Sequence, residues 1–276
     1  MSQRSVLITG AGGGVGQAAA LAFHANGWRV VAGVRDMERA QREFPDAVQI
    51  VALDVTLPAE IRAAVALAGP IDCLVNNAAY AVMGAQEDAN LDDVRAMFET
   101  NLFGAAAVAQ AVLPQMRERG AGVLVQVSSV GAWMSNPLVG FYHATKYALA
   151  ALSEALAVEM APFGVRVVMI EPGMIDTNFT NATKPSGSVT DPNGPYGPMF
   201  AALRNGFAKW RSLETSSADA VATAIVSAAQ DLESPFRVRV GLDAETLHAA
   251  KQQSVDDADW HRRLRSFLGM ETISAP

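Results

Sequence analysis

The sequence predicts an α/β protein: a single-domain, doubly wound parallel sheet of about seven strands, with a helical substrate lid over residues 174–213 and a helical C-terminal extension over 244–276. Three observations carry this expectation. Short β-branched runs alternate with stretches of helical composition, the mark of repeated βαβ units. Half of the 276 residues are hydrophobic and only 18% are charged, as needed when helices cover both faces of a buried parallel sheet. A glycine-rich turn follows the first apolar run, and sheets of this kind bind their ligands outside the carboxyl ends of the strands.

In chain order, strands are expected at 6–8, 29–31, 48–51, 73–75, 123–127, 165–168 and 237–240, each a short run rich in Val, Ile or Leu. Helices are expected at 14–26, 58–68, 91–119, 141–161 and 217–232, with a further one from Met37 that Asp36 is placed to cap. The alternation breaks between 174 and 213, where Pro185, Pro192, Pro195 and Pro198 precede Met199, Phe200, Phe207 and Trp210. So long an insertion after a strand reads as a lid over a site. In the last stretch, Trp260, Leu264, Phe267 and Leu268 form one apolar stripe, suited to cap the domain or to meet a partner.

Several function classes are disfavoured. A net charge of −7 repels a phosphate backbone, so nucleic acid is not expected as a partner. The single Cys73 lies in an apolar run, which rules out a disulfide framework and favours a reducing, cytoplasmic setting. No continuous apolar segment approaches the roughly 20 residues of a bilayer span, so no membrane is expected. His24, His143, His248 and His261 lack metal-ligand spacing, and no metal is expected. A Ser/His hydrolase fares poorly as well, since there is no Gly-x-Ser-x-Gly elbow, and His143, next to Tyr142, points about 100° away from it on a helix.

The turn after the first strand reads Gly10-Ala11-Gly12-Gly13-Gly14-Val15-Gly16 and opens an alanine-rich helix. Glycines let the backbone approach a pyrophosphate, and a helix N-terminus offers free N–H groups and the positive end of a dipole. Gly10, Gly12, Gly13, Gly14, Val15 and Gly16 are therefore candidate dinucleotide contacts; no Lys follows them, which argues against a nucleoside triphosphate loop. The second strand ends at Val34 and is followed by Arg35-Asp36. An acid near this point would hold the ribose hydroxyl of NAD, whereas an Arg would accommodate the 2′-phosphate of NADP. Because Asp36 has a capping role available, Arg35 and NADP(H) are favoured, with NAD(H) as the second option.

Tyr142 and Lys146 are four apart and share a helix face. A nearby ammonium and an oxidised nicotinamide both favour a phenolate, so the pair can serve as a proton-transfer device. Alone, the spacing is common on surfaces. Its company changes the reading: Ser129 ends a β-branched strand thirteen residues before Tyr142, at the edge where a ligand is expected. Taken together, Thr9-Gly10-x3-Gly14-x-Gly16, Asn76-Asn77-Ala78-Ala79, Asn101, Ser129, Tyr142-x3-Lys146 and Pro172-Gly173 resemble the short-chain dehydrogenase/reductase family, with its Rossmann fold, from residue 5 to about residue 240.

The resemblance implies roles. Ser129 would hydrogen-bond the substrate oxygen, Tyr142 would move its proton, and Lys146 would bind the nicotinamide ribose and lower the Tyr142 pKa, while Asn101 would hold a water linked to Lys146. It further implies adenine contacts at Asp54 and Val55, a seat under the dinucleotide at Asn77, Ala78 and Ala79, and carboxamide contacts at Pro172, Gly173 and Thr177. The chain departs from the family pattern at Ala79, where glycine is usual, and at Val34, which stands in the place of the NAD-selecting acid and so strengthens Arg35. The implied reaction is hydride transfer between nicotinamide and a carbonyl or secondary alcohol, in a homodimer or homotetramer paired through helices 91–119 and 141–161. Tyr80, Met83, Trp133, Met134, Leu138, Phe179, Met199, Phe200 and Phe207 are candidate pocket walls and suggest an apolar or aromatic small-molecule substrate. Two other classes stay open: a dinucleotide-sensing scaffold without turnover, and a related NAD-dependent epimerase. The intact Ser129, Tyr142, Lys146 and Asn101 set argues against the first, and the chain length and glycine spacing against the second.

Overall fold

The β-branched runs assemble as expected. In a computed structural model, which describes residues 3–176, 183–211 and 215–270, seven strands form one parallel sheet. They are β1 (Ser5–Thr9), β2 (Arg29–Val34), β3 (Gln49–Ala52), β4 (Cys73–Asn76), β6 (Gly122–Val127), β7 (Val165–Pro172) and β11 (Arg237–Val240), in the order β11-β7-β6-β4-β1-β2-β3. The connections run outward in opposite directions from β1 and β4, so a crevice opens between the carboxyl ends of these two neighbours.

Side chains alternate across the sheet with period two. Val6 and Ile8 enter one apolar cluster with α1 (Gly14–Ala25) and α8 (Ala218–Gln230). Leu7, between them, enters the other, with α3 (Pro58–Ala68) and α5 (Ala105–Arg119). Each fully buried aliphatic side chain contributes about 1.5–3 kcal/mol, so both faces hold the layers together. Asp36 caps α2 (Met37–Glu43), accepting the Arg39 N–H at 2.9 Å. Cys73 is free and buried in the first cluster.

Expected helix 91–119 is broken in register. It consists of α4 (Leu91–Phe98), a π-helical turn at Glu99–Gly104, and α5. By length and composition the run Leu91–Arg119 could cross a membrane, contrary to the sequence expectation, but Val108, Ala109, Val112 and Met116 are buried against the sheet. Four short strands had no sequence signal: β5 (Ala81–Met83) pairs with β9 (Thr183–Pro185), and β8 (Ile175–Asp176) with β10 (Ser216–Ser217). Strands of two or three residues show no readable alternation; the pairing itself makes them.

The break in the alternation does hold a helix, α7 (Gly197–Arg211), and the extension folds as α9 (Leu242–Gln252) and α10 (Asp257–Phe267). These elements build a third apolar cluster beside the sheet, with Leu203, Trp210, Leu247, Trp260, Leu264 and Leu268 buried in it. The apolar stripe of the extension therefore caps the domain. A polar seam ties residues 184–188, within the stretch expected to be a lid, to the body: Ser188 donates its N–H at 2.8 Å and its hydroxyl to Asp88, Ser186 accepts the Asn90 N–H at 2.8 Å, and Lys184 pairs with Asp93 at 2.6 Å. α6 (Gly140–Met160) lies along the sheet next to β7 and carries the Tyr142/Lys146 pair.

Candidate active site

The crevice between β1 and β4 is closed underneath by backbone-directed hydrogen bonds. Thr9 Oγ1 accepts the N–H groups of Asn77 and Ala78 at 3.0 and 3.1 Å, and Asn77 Nδ2 donates to the Thr9 and Gly10 carbonyls at 3.1 Å. Asn77 thus has a structural role in fastening β4 to the glycine turn. Asn76 points the other way, donating to the Ala105 carbonyl at 2.9 Å. Ala78 is part of this floor, and Ala79, beyond it, is partly exposed.

The glycines of the turn divide into two kinds. Gly10 has φ 65°, and a Cβ there would lie 2.8 Å from Ala78 Cα; one at Gly16 would collide with the Gly10 carbonyl and lie 2.5 Å from Asn77 Nδ2. Gly14 has φ 53°. The fold demands these three. At Gly12 and Gly13 a Cβ would meet nothing nearer than Val34 Cγ1 at 3.8 Å and Arg39 Nη2 at 3.9 Å, so no protein atom requires glycine there. Gly13 precedes α1 without any side-chain cap, and the first turn, with Val15 buried in it, has no acidic residue. This open cradle of N–H groups fits a pyrophosphate.

Arg35 is exposed at the end of β2, and Val34 beside it is 2% exposed, so the acid position is filled by a core residue. Asp54, partly buried, is pushed up by burial but pulled further down by the Thr56 N–H and hydroxyl and by the Arg35 charge, leaving a net lowered pKa. Its neighbour Val55 is buried and leaves no room for a Cβ at Gly104. The structure adds a basic residue that sequence reading missed: Arg39, paired with Glu43 at 2.8 Å, reaches the glycine turn. The Asp36 cap signal places Arg39 in the first turn of α2, and that offset could have revealed it.

Ser129, Tyr142 and Lys146 meet at the carboxyl end of β6. The Ser129 and Tyr142 hydroxyls are hydrogen-bonded, and Ser129 Oγ also accepts the Gly131 N–H at 3.1 Å. Lys146, 3% exposed, donates to the Val127 carbonyl at 3.0 Å and lies 5.8 Å from the Tyr142 ring centroid. Burial pushes the Tyr142 phenol up to about 12, against the pull of Ser129, and pushes the Lys146 ammonium down to about 8. The sequence expectation of a phenol lowered by Lys146 is thus not met by the protein's own groups: desolvation outweighs an ammonium that is turned toward a carbonyl.

Asn101 is buried in the π-helical turn with its side chain committed. Oδ1 accepts the Tyr80 N–H at 3.0 Å, and Nδ2 donates to the Tyr80 carbonyl at 2.8 Å and to Thr145 Oγ1 at 3.1 Å. Any water link to Lys146 would fall to its backbone. Pro172 ends β7, and Gly173 is enforced by Asp243, whose carboxylate occupies the space a Cβ would need. Asp243 accepts the Met174 N–H at 2.6 Å and the Trp210 indole N–H at 2.8 Å, joining this strand end to the lid helix and the extension. Thr177 and Phe179 lie outside the described residues. Among the expected pocket walls, Met134 and Leu138 are buried in the third cluster, with Met83, Trp133, Met199, Phe200 and Phe207 partly buried against it; Tyr80, like Tyr142, packs instead against Val82, Val94 and Met97. Among the described residues no cluster of His, Cys, Asp and Glu is placed to hold a metal.

The pattern of the family described as short chain dehydrogenase matches residues 4–187. The chain is a short-chain dehydrogenase. This family consists of oxidoreductases that act between CH–OH and C=O groups with a nicotinamide dinucleotide. Among its relatives, this short-chain dehydrogenase is 34% identical to an oxidoreductase of Botryotinia fuckeliana over 92% of its own chain and 95% of the other. It is 32% identical to the 3-ketodihydrosphingosine reductase of Bacteroides thetaiotaomicron over 98% and 100% of the two chains. A solved short-chain dehydrogenase from Streptomyces avermitilis superposes with a TM-score of 0.82 at 33% identity, over 99% of both chains. One from Burkholderia cenocepacia in complex with NADP gives 0.75 at 25% identity, over 95% and 98%. A 3-ketoacyl-(acyl-carrier-protein) reductase from Brucella melitensis, complexed with NADH, gives 0.72 at 26% identity, over 86% and 96%.

Proposed function

We propose that this short-chain dehydrogenase interconverts a ketone or aldehyde and its alcohol with NADP(H), using Tyr142 as the acid and base. The observation that carries this reading is the hydrogen bond between Ser129 and Tyr142, with the buried Lys146 cation next to the phenol. When bound, the nicotinamide supplies or takes up the hydride at the substrate carbon. Ser129 holds the substrate oxygen by its hydroxyl. In reduction Tyr142 gives that oxygen a proton, and in oxidation it removes one. Lys146 anchors the nicotinamide ribose, and its charge favours the phenolate form of Tyr142. Gly12, Gly13 and the N-terminus of α1 would hold the pyrophosphate, Asp54 and Val55 the adenine, and Pro172 and Gly173 the carboxamide side.

Arg35, with Arg39 behind it, supports NADP(H) over NAD(H), since a bidentate guanidinium suits a 2′-phosphate. The apolar residues of the lid and of loop 130–139 support an apolar substrate, in keeping with the sphingoid ketone named for the Bacteroides relative. Exposed Phe103, Tyr147, Leu152 and Val158, on the π-helical turn and α6, support self-association through these elements.

The test is a panel of alkyl and aryl ketones assayed by nicotinamide absorbance with both cofactors, followed by Tyr142→Phe on the best of them. Tyr142→Phe is expected to bind cofactor normally and to lose turnover by at least about 10²–10⁴-fold. Retained turnover rejects the proton-transfer assignment.

A further inference from the structure

Loop 130–139 runs between the two hydroxyl-bearing residues, from Ser129 to the helix of Tyr142. One side of it faces the lid, where Val130, Met134 and Leu138 are buried in the third apolar cluster. From the other side a single side chain meets the loop at three places. His143, 6% exposed, accepts the Asn136 N–H at Nδ1, 3.1 Å away. Its protonated nitrogen is therefore Nε2, and the ring hydrogen-bonds the Met134 backbone. The third contact is Gly131, where a Cβ would come 2.9 Å from the imidazole Cδ2, so the loop lies on the ring only because glycine stands there. With both ring nitrogens in use, burial holds the imidazole neutral, its pKa pushed down to about 4 against the Met134 bond.

The loop needs such holding. Leu138 has φ 64°, a left-handed backbone that a branched side chain adopts only under constraint, and its carbonyl accepts the Gly84 N–H at 2.7 Å. The Trp133 carbonyl accepts Lys251 from α9. At the loop's entrance the Gly131 N–H is bound to Ser129 Oγ, so the residue resting on the imidazole also orients the Ser129 hydroxyl.

We propose that His143 is a positioning residue for substrate: it buckles loop 130–139 to the helix of Tyr142 and so sets both the wall from Trp133 to Leu138 and the direction of the Ser129 hydroxyl. The inference rests on Ser129 and Tyr142 being the residues that meet the substrate oxygen. His143 itself takes no part in proton transfer, since it projects about 100° round the helix from Tyr142.

The experiment divides the imidazole's two bonds between two variants. His143→Asn keeps an acceptor near the position of Nδ1, and His143→Gln keeps a donor near that of Nε2. Each is measured with the ketone of highest turnover in the panel. KM for the ketone should rise about 5–10-fold, while kcat stays within about threefold and the NADPH dissociation constant is unchanged. Gly131→Ala, pressing on the same ring from the loop side, should raise KM alike. Wild-type KM in these variants, a fall in kcat alone, or an equal loss of cofactor affinity each overturns the proposal. Should the variants not fold, nitrogen-15 histidine spectra of the unmodified enzyme decide: one imidazole must stay in the Nε2–H form from about pH 8 to 5, and four imidazoles titrating in the ordinary range reject the buckle. Tyr142→Phe run in parallel separates the two readings. An active Tyr142→Phe rejects the acid/base assignment, whereas an inactive one beside kinetically normal His143 variants rejects the role of His143 alone.

Discussion

The two halves of the cleft are held by different means. On the dinucleotide side, β1, the glycine turn and the end of β4 are fastened by short bonds among Thr9, Gly10, Asn77 and Ala78, and Gly10 and Gly16 abut backbone and the Asn77 amide. On the substrate side, loop 130–139, the lid helix and the extension share an apolar cluster that is pinned by a few buried polar side chains, His143 and Asp243 above all. The first arrangement tolerates little change, because backbone cannot yield. The second can be repacked while its pins stay, which suits the part of an enzyme that must differ from one substrate to another.

This contrast can be broken at either end. The largest effect is expected from Gly16→Ala, whose methyl would strike the Gly10 carbonyl; about 3 kcal/mol of folding stability should be lost in chemical denaturation. Gly12→Ala, with open space around it, should cost under about 0.5 kcal/mol yet weaken dinucleotide binding about tenfold. Equal stability losses at the two positions would dissolve the distinction between fold-required and ligand-required glycines. On the other side, Asp243→Ala leaves the Met174 and Trp210 N–H groups without their acceptor. A destabilisation of about 2 kcal/mol is expected, with NADPH affinity within about threefold of normal. Should thermal unfolding be unchanged, Asp243 is not the pin that joins the lid to the strand end. Arg35→Ala is expected to leave folding stability unchanged and to act on one cofactor alone, weakening NADPH by about tenfold and leaving NADH nearly unchanged by titration. Tighter NADH than NADPH binding in the unmodified enzyme would remove the phosphate role of Arg35.

Legibility in the sequence follows the same division. The seven sheet strands and the glycine turn could be read because each depends on spacing within a few residues; Ser129, Tyr142 and Lys146 were joined through the family resemblance, and the fold brings them together at the end of β6. Asp36 showed its capping role for the same reason, since the bond it makes spans three residues. The proximity of Lys146 to Tyr142 is visible in a four-residue spacing, whereas burial, which pushes the phenol up, and the Val127 carbonyl, which accepts from the ammonium, are not. Asn101 was expected to hold a water linked to Lys146, and the commitment of its side chain to Tyr80 and Thr145 was not legible, since these partners lie 21 and 44 residues away.

The amino-acid order therefore settles the fold class, because strand periodicity, helix spacing and turn chemistry are short-range properties written into neighbouring residues, while the family and the reaction class were legible through the resemblance that its motifs carry. It leaves open what each group does when surrounded. That His143 is bound to loop 130–139, that Asp243, 69 residues from Met174, joins the strand end to α7, and that Arg39 reaches the glycine turn all follow from contacts made when the segments pack. Desolvation and hydrogen-bond partners exist only after that packing, and they set the charge and direction of every side chain in the cleft.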